Sequence, residues 1–124
     1  MENREPAKSF RDLLVWEKAH QLTLGVYRAT KSFPKEEIYV LTSQLRRCSI
    51  SVAANIAEGF KKKSSLDKMR ILNIAQGSLS ETEYFLILSQ DLAYGEMTEL
   101  MTRADEVGKL LESYIRAINV NNNS

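Results

Sequence analysis

Apolar residues recur along most of the chain at alternating steps of three and four, the spacing of one helix face. The first seam, widened by Trp16 and Tyr27, consists of Val15, Ala19, Leu22, Val26, Ala29 and Phe33. The second consists of Ile38, Leu41, Leu45, Cys48, Val52 and Asn55. These patterns predict a helix over 10–33 and a second that begins after Pro34 and closes at Gly59, a candidate left-handed cap.

Two further helices are predicted in the second half of the chain. Residues 64–67 (SSLD) resemble a capping box, so a third helix should begin near Ser65. One of its seams consists of Leu72, Ala75, Leu79, Thr82 and Leu86, and the other of Ile71, Ile74, Ser78, Glu81, Phe85, Leu88 and Leu92. After a break at Gly95, a fourth helix has the seam Met97, Leu100, Ala104, Val107, Leu111, Tyr114 and Ile118.

Short connections between these helices predict an all-α fold, an antiparallel up-down-up-down four-helix bundle. We expect a flexible leader over 1–9, the bundle domain over 10–118 and a frayed tail over 119–124. Only five glycines and two prolines occur, which argues against a sandwich or barrel. The wide apolar surface of the third helix indicates either contact with a second copy of the chain or simply the needs of a four-helix core.

Residues that could carry catalysis or bind a metal are few. The chain has one cysteine, Cys48, and one histidine, His20, so it lacks a Cys/His zinc set and a second histidine to act as a base. We therefore expect no metal, no cofactor and no enzymatic activity. A single cysteine and the absence of an apolar signal block predict a cytoplasmic protein. The longest uncharged runs are ten residues and polar, so no membrane span is expected.

The net charge of +1 conceals an uneven distribution. Residues 28–70 hold ten Lys/Arg against four Asp/Glu, whereas residues 71–124 hold three against eight. An antiparallel bundle is expected to gather the basic residues at one end and the acidic residues at the other. Candidate nucleic-acid-binding residues are Arg46, Arg47, Lys61, Lys62, Lys63 and Arg70, whose charges could neutralise phosphates. Lysine runs in loops are also common as plain solvated surface.

Three polar residues occupy positions that suggest structural or assembly roles. Asn55 falls on the second seam, Glu81 lies between apolar residues of the third helix, and Glu58 adjoins Gly59. Such residues either pin the bundle by internal hydrogen bonds and ion pairs or contact a second copy or ligand. A hydrolase built on Glu58 or Glu81 would lack a histidine or metal partner.

Several strings resemble the bacterial four helix bundle proteins, also called 23S rRNA intervening-sequence proteins. They are residues 10–13 (FRDL), 15–19 (VWEKA), 33–37 (FPKEE), 44–47 (QLRR), 51–59 (SVAANIAEG) and 75–81 (AQGSLSE). The resemblance covers about residues 9–118 in the same order. It also extends to the accessory protein of diversity-generating retroelements, a pentameric bundle that binds nucleic acid and a reverse transcriptase.

The resemblance implies a cyclic homopentamer, often encoded within insertions of the large ribosomal RNA gene, without established enzymatic activity. Asn55, Glu58 and Glu81 fall inside the signature strings, and Arg46 and Arg47 occupy the basic position of the second helix. The Lys61 to Lys63 run is less typical of the family.

Two functional hypotheses follow from the charges and the resemblance together. The first is an oligomeric, non-enzymatic protein that binds RNA or DNA through basic patches multiplied by a ring. The alternative is a protein-interaction adaptor, for example for a reverse transcriptase or another nucleic-acid enzyme, without direct contact to nucleic acid.

Overall fold

The structure is a computed structural model that describes residues 6–123, with the backbone alone described for 120–123. A 3₁₀ turn at Phe10–Asp12 precedes helix α1 (Leu14–Thr30), and a second at Lys35–Glu37 precedes α2 (Leu41–Lys61). Helices α3 (Ser65–Asp91) and α4 (Thr98–Asn123) follow. No strand occurs within residues 6–123, and the prediction of an all-α fold is confirmed.

The four helices enclose one shared core, since α1 packs on α2 and α4 while α3 packs on the same two helices. Two side-chain contacts show how α2 runs relative to α3. Thr82 Oγ1 donates to Cys48 Sγ at 3.2 Å, and the hydroxyls of Ser51 and Ser78 lie 2.8 Å apart. Later residues of α2 thus meet earlier residues of α3, the order expected for antiparallel neighbours.

The core consists mainly of the predicted seams. Five of the six members of the first seam are buried, namely Val15, Ala19, Leu22, Val26 and Phe33. All five members of the first α3 seam are buried as well. In the fourth seam the buried residues are Met97, just before α4, and Leu100, Ala104, Val107 and Leu111, with Tyr114 and Ile118 packed at the margin.

The start of the second helix was predicted wrongly. The 3₁₀ turn Lys35–Glu37 and the unusual backbone of Val40 (φ −123°, ψ −98°) separate Pro34 from the first residue of α2, Leu41. The helical periodicity is therefore interrupted before α2 begins, and residues on either side of the interruption do not share one helix face. Ile38, assigned to the seam by its spacing, is exposed instead.

Gly59 lies inside α2, which continues to Lys61, and is not the predicted left-handed cap. A Cβ at position 59 would come within 3.1 Å of Leu72 Cδ2, so a side chain there would press on α3. Glycine at this position allows the close approach of α2 and α3 near the loop that joins them.

The predicted beginning of the third helix is confirmed, because Ser64 Oγ accepts the Asp67 backbone N–H at 3.1 Å. The α3–α4 connection contains Ala93, which has a positive φ of 61°. Helix α4 continues to Asn123, beyond the predicted bundle end at 118. Residues 1–5 of the predicted leader, and Ser124 of the predicted tail, lie outside the described residues. None of the helices in residues 6–123 combines the length and apolar character that crossing a bilayer requires.

Candidate nucleic-acid interface

Arg46 and Arg47 follow each other on α2 but have different surroundings. Arg46 is half-buried: its Nε donates to Thr30 Oγ1 at 2.8 Å, and its guanidinium carbon lies 4.7 Å from the centroid of the Tyr27 ring. Arg46 therefore ties α2 to α1. Arg47 is exposed and forms no ion pair with residues 6–119, so its charge is available to a ligand.

The lysine run at the end of α2 and Arg70 on α3 form few ion pairs, and the pairs that they form are long. Lys62 Nζ lies 4.0 Å from a Glu58 carboxylate oxygen, and Arg70 lies 3.9 Å from Asp67. Exposed ion pairs of this kind contribute about 0–1 kcal/mol, so a phosphate can compete with them. Lys61 and Lys63 are exposed and have no ion-pair partner within the part of the chain that the structure describes.

Lys68 belongs to the same end of the bundle but has a structural role. Its Nζ donates to the carbonyl oxygens of Gly59 and Phe60, at 3.2 and 2.8 Å. These carbonyls belong to the last turn of α2, where intrahelical donors run out and a cation is favourable. Partial burial lowers the pKa of Lys68.

We expect Lys68→Met to lower the free energy of unfolding by about 1 kcal/mol, because two charge-assisted hydrogen bonds to the end of α2 are lost. The matched control is Lys63→Met, which removes the same charge from an exposed side chain in the preceding loop. Urea unfolding of both variants measures the difference. Equal losses would show that Lys68 contributes only through its charge.

The three polar positions singled out in the sequence differ in their surroundings. Asn55 Nδ2 donates to the carbonyl oxygen and the hydroxyl of Ser51, and this hydroxyl contacts Ser78. Asn55 thus extends a polar chain between α2 and α3, as the interpretation of internal hydrogen bonding predicts. Glu58 is exposed and paired with Lys62, the structural pairing that was also predicted.

Glu81 does not stabilise the core through a buried polar contact, because it is exposed and forms no hydrogen bond or ion pair with residues 6–119. It lies seven residues after Ile74 and seven before Leu88, hence on the same side of α3. Ile74 is also exposed. We call this exposed side of α3, where it borders α2 beside the Ser51–Ser78 contact, the α2–α3 face.

A row of aromatic rings on α1 was not recognised as a candidate site in the sequence. Trp16 stacks on His20 with ring centroids 5.1 Å apart and planes at 7°, and Phe10 meets Trp16 edge-on at 5.1 Å. Tyr27 continues the row beneath Arg46. Residues 16, 20 and 27 are four and seven residues apart, a spacing that could have indicated a shared side of the helix. Trp16 and Tyr27 were assigned instead to a widened core seam.

The charges also differ between the first and second halves of the chain. Residues 10–63, which include α1 and α2, hold ten Lys/Arg and five Asp/Glu, whereas residues 64–119 hold five and nine. Acidic residues occur along the length of α4, and Glu106 lies 3.9 Å from Lys18 near the beginning of α1. In addition to the predicted difference between the two ends, the α1–α2 side is therefore basic and the α3–α4 side is acidic.

An acidic groove of about 400 Å³ lies between α3 and α4. Glu83 and Asp105 line it from opposite helices, and Lys109 pairs with Asp105 at 3.2 Å. Burial and the neighbouring Asp105 charge raise the pKa of Glu83. Within residues 6–119 no three His, Cys, Asp or Glu side chains converge as a metal site would need.

The raised pKa of Glu83 predicts a pH effect on stability. Between the ordinary glutamate pKa of about 4.3 and the raised folded value, the folded protein binds more protons than the unfolded chain. Stability contributed by protonated Glu83 is thus lost as the pH rises through that window. We expect Glu83→Gln to reduce this loss, seen as a smaller drop in the thermal midpoint between about pH 4 and about pH 7.

The exposed Glu81 on the same helix provides the control for this measurement. We expect Glu81→Gln to keep the wild-type dependence of the thermal midpoint on pH. If Glu83→Gln also keeps it, the titration of Glu83 does not set this pH dependence.

The side chains best suited to covalent or acid–base chemistry lie apart. Cys48 is buried, and desolvation raises the pKa of its thiol, which disfavours the nucleophilic thiolate. His20 is exposed and stacked on Trp16. The basic and aromatic surface of α1 and α2 is consequently the stronger candidate for a functional site.

Comparison with known proteins agrees with this architecture. The sequence profile of the family described as "23S rRNA-intervening sequence protein" matches residues 11–113. A solved structure of a protein of unknown function from the S23 ribosomal protein family of Bacteroides thetaiotaomicron is 28% identical, with a TM-score of 0.76. The match covers 82% of this chain and 98% of that one. No curated protein matches. The chain belongs to the family of 23S rRNA-intervening sequence proteins.

Proposed function

We propose that this protein is a non-enzymatic, oligomeric four-helix bundle of the cytoplasm that binds RNA or DNA through its basic α1–α2 side. The observation that carries the proposal is the charge separation across the bundle, with Arg47, Lys61 and Lys63 exposed and without ion pairs to residues 6–119. Phosphate backbones are recognised by such positive surfaces independently of sequence. A single, buried free cysteine supports a reducing compartment.

Titration against labelled RNA and duplex DNA, at low and at moderate salt, tests nucleic-acid binding. We expect binding at low salt that weakens steeply as salt is added, because the bound cations release counterions from the phosphates. Absence of binding to either polymer at low salt would overturn the proposal.

Self-association is supported by the α2–α3 face. Ile74 and Tyr84 are exposed large apolar or aromatic side chains on it, and exposed apolar surface of this kind marks interaction sites. Asn55 Oδ1 accepts no hydrogen bond within residues 6–119, which leaves an acceptor for a second copy. The family resemblance implies five copies.

Light scattering after size-exclusion chromatography tests the assembly. A pentamer has five times the 14.1 kDa of one chain, about 70 kDa. We expect Ile74→Asp to dissociate it, because a carboxylate would be buried in the interface. The control is Ile38→Asp, at a similarly exposed isoleucine outside this face. A wild-type mass of one chain, or equal dissociation by both variants, would contradict an α2–α3 interface.

The adaptor hypothesis is supported by a second observation, the apolar tip before α2. Ile38, Tyr39 and Val40 are consecutive and exposed, with 90% of the Tyr39 surface accessible. A partner protein could cover this tip. Affinity capture from nuclease-treated lysate separates the hypotheses: a partner retained without nucleic acid, and lost in Tyr39→Asp, favours the adaptor. Loss of all partners on nuclease treatment favours direct nucleic-acid binding.

A further inference from the structure

The aromatic row on α1 has features that phosphate neutralisation does not require. From Trp16 through His20 to Tyr27 the rings lie on one side of the helix, and His20 and Tyr27 are exposed. Trp16 covers one face of the His20 ring, so the opposite face is the one open to solvent. A flat ligand can extend this stack of two rings.

Cations flank the rings at both ends of the row. The Arg11 guanidinium lies 6.0 Å from the Trp16 ring, and that of Arg46 lies 4.7 Å from Tyr27. Within α1, Glu17 is the acidic residue, against Lys18 and Arg28. Rings flanked by cations offer stacking surfaces for the planar groups of one ligand and positive charge for its phosphates.

The geometry points to single-stranded nucleic acid as the ligand of this surface, with bases stacked on His20 and beside Tyr27 and with phosphates near Arg11 and Arg46. In a duplex the base faces are covered by their neighbours, so exposed protein rings find no partner there. Unpaired bases expose these faces, and stacking on aromatic side chains is the usual way in which single strands are held.

The separation of the rings sets the length of strand required. Trp16 and Tyr27 are eleven residues apart, about 16 Å along the helix. A stacked strand advances about 3.4 Å per nucleotide, so roughly five nucleotides span the row. The inference rests on the proposed function, since it specifies the ligand of the same basic side.

Tryptophan fluorescence tests the inference directly, because Trp16 is the one tryptophan of the chain. The probes are a ten-nucleotide oligo(U) strand, an abasic strand of equal length and a duplex RNA of ten base pairs, all at low salt. We expect oligo(U) to quench Trp16 emission and to bind more tightly than the abasic strand. We expect the duplex to bind without comparable quenching.

Two variants locate the bases on the row. We expect His20→Ala and Tyr27→Ala each to weaken oligo(U) binding about fivefold or more and to leave abasic-strand binding unchanged, because only the stacking is removed. The control is Tyr39→Ala, which removes an exposed ring at the tip and should leave both affinities unchanged.

The possible failures are distinguishable. Equal affinity and equal quenching for oligo(U), abasic strand and duplex would overturn base stacking while leaving phosphate binding intact. Unchanged oligo(U) affinity in both α1 variants would overturn the assignment to this row. If none of the three probes binds at low salt, the proposed function itself fails.

Discussion

Replacing Leu45 with alanine is expected to lower the free energy of unfolding by about 3–5 kcal/mol. Leu45 is fully buried in α2 within the shared core, so the truncation removes apolar contacts and leaves a cavity among rigidly packed neighbours. Because domains of this kind are stable by about 5–15 kcal/mol, the loss would be a large part of the total. Urea unfolding at one fixed protein concentration measures it, since assembly makes stability depend on concentration.

The matched control is the same substitution at a leucine that lies outside the core. Leu66, near the beginning of α3, is 81% exposed, so we expect Leu66→Ala to change the free energy of unfolding by less than about 0.5 kcal/mol. Similar losses at both positions would contradict the burial assigned to Leu45.

The seams of α1 and α4 and the first seam of α3 could be predicted because their periodicity is unbroken. Every third or fourth residue from Val15 to Val26, and from Met97 to Leu111, returns to the same side of a helix and is buried. Where the backbone departs from the α-helix, a spacing of three or four residues no longer places side chains on the same side. The turn before Leu41 therefore left Ile38 exposed despite its correct spacing.

Gly59 shows a second kind of limit. Glycine after an apolar seam usually indicates a helix end, and this is a local property of the sequence. The actual reason for glycine here is the distance to Leu72, which belongs to another helix. Contacts between distant segments of the chain are not contained in the local pattern.

The second seam of α3 was predicted as one apolar side, yet its members differ in burial. Ile71 and Ser78 are buried, whereas Ile74, Glu81 and Leu92 are exposed. Periodicity identifies residues that share a side of a helix, but not which sides the neighbouring helices cover. The exposed part is the surface to which we assign self-association.

The candidate site was only partly predictable for a related reason. The basic residues themselves were identified, but their pairing was not: Arg46 is held by Thr30, and Lys68, counted in the basic end, binds the end of α2. The aromatic row was missed because apolar rings at helical spacing most often belong to a core. Only the exposure of His20 and Tyr27, which the structure shows, distinguishes this row from a core seam.

Reversing two charges on the basic side should affect binding more than any other surface change considered for this chain. We expect Arg47→Glu together with Lys61→Glu to weaken RNA binding at low salt by at least about tenfold, because two phosphate contacts become repulsions. With single-stranded RNA, the slope of log affinity against log salt should become shallower by roughly 1.4, or about 0.7 for each phosphate contact removed. RNA titrations over a series of salt concentrations measure both quantities.

The control changes the net charge by the same amount on the opposite side of the bundle. Lys109 and Arg116 are exposed on α4 and paired with acidic residues one turn earlier, at 3.2 and 3.0 Å. We expect Lys109→Glu with Arg116→Glu to leave the salt slope unchanged, because local phosphate contacts set the slope, whereas a screened distant charge adds little. If both double variants lose affinity and slope equally, net charge alone governs binding and the α1–α2 side is not its location.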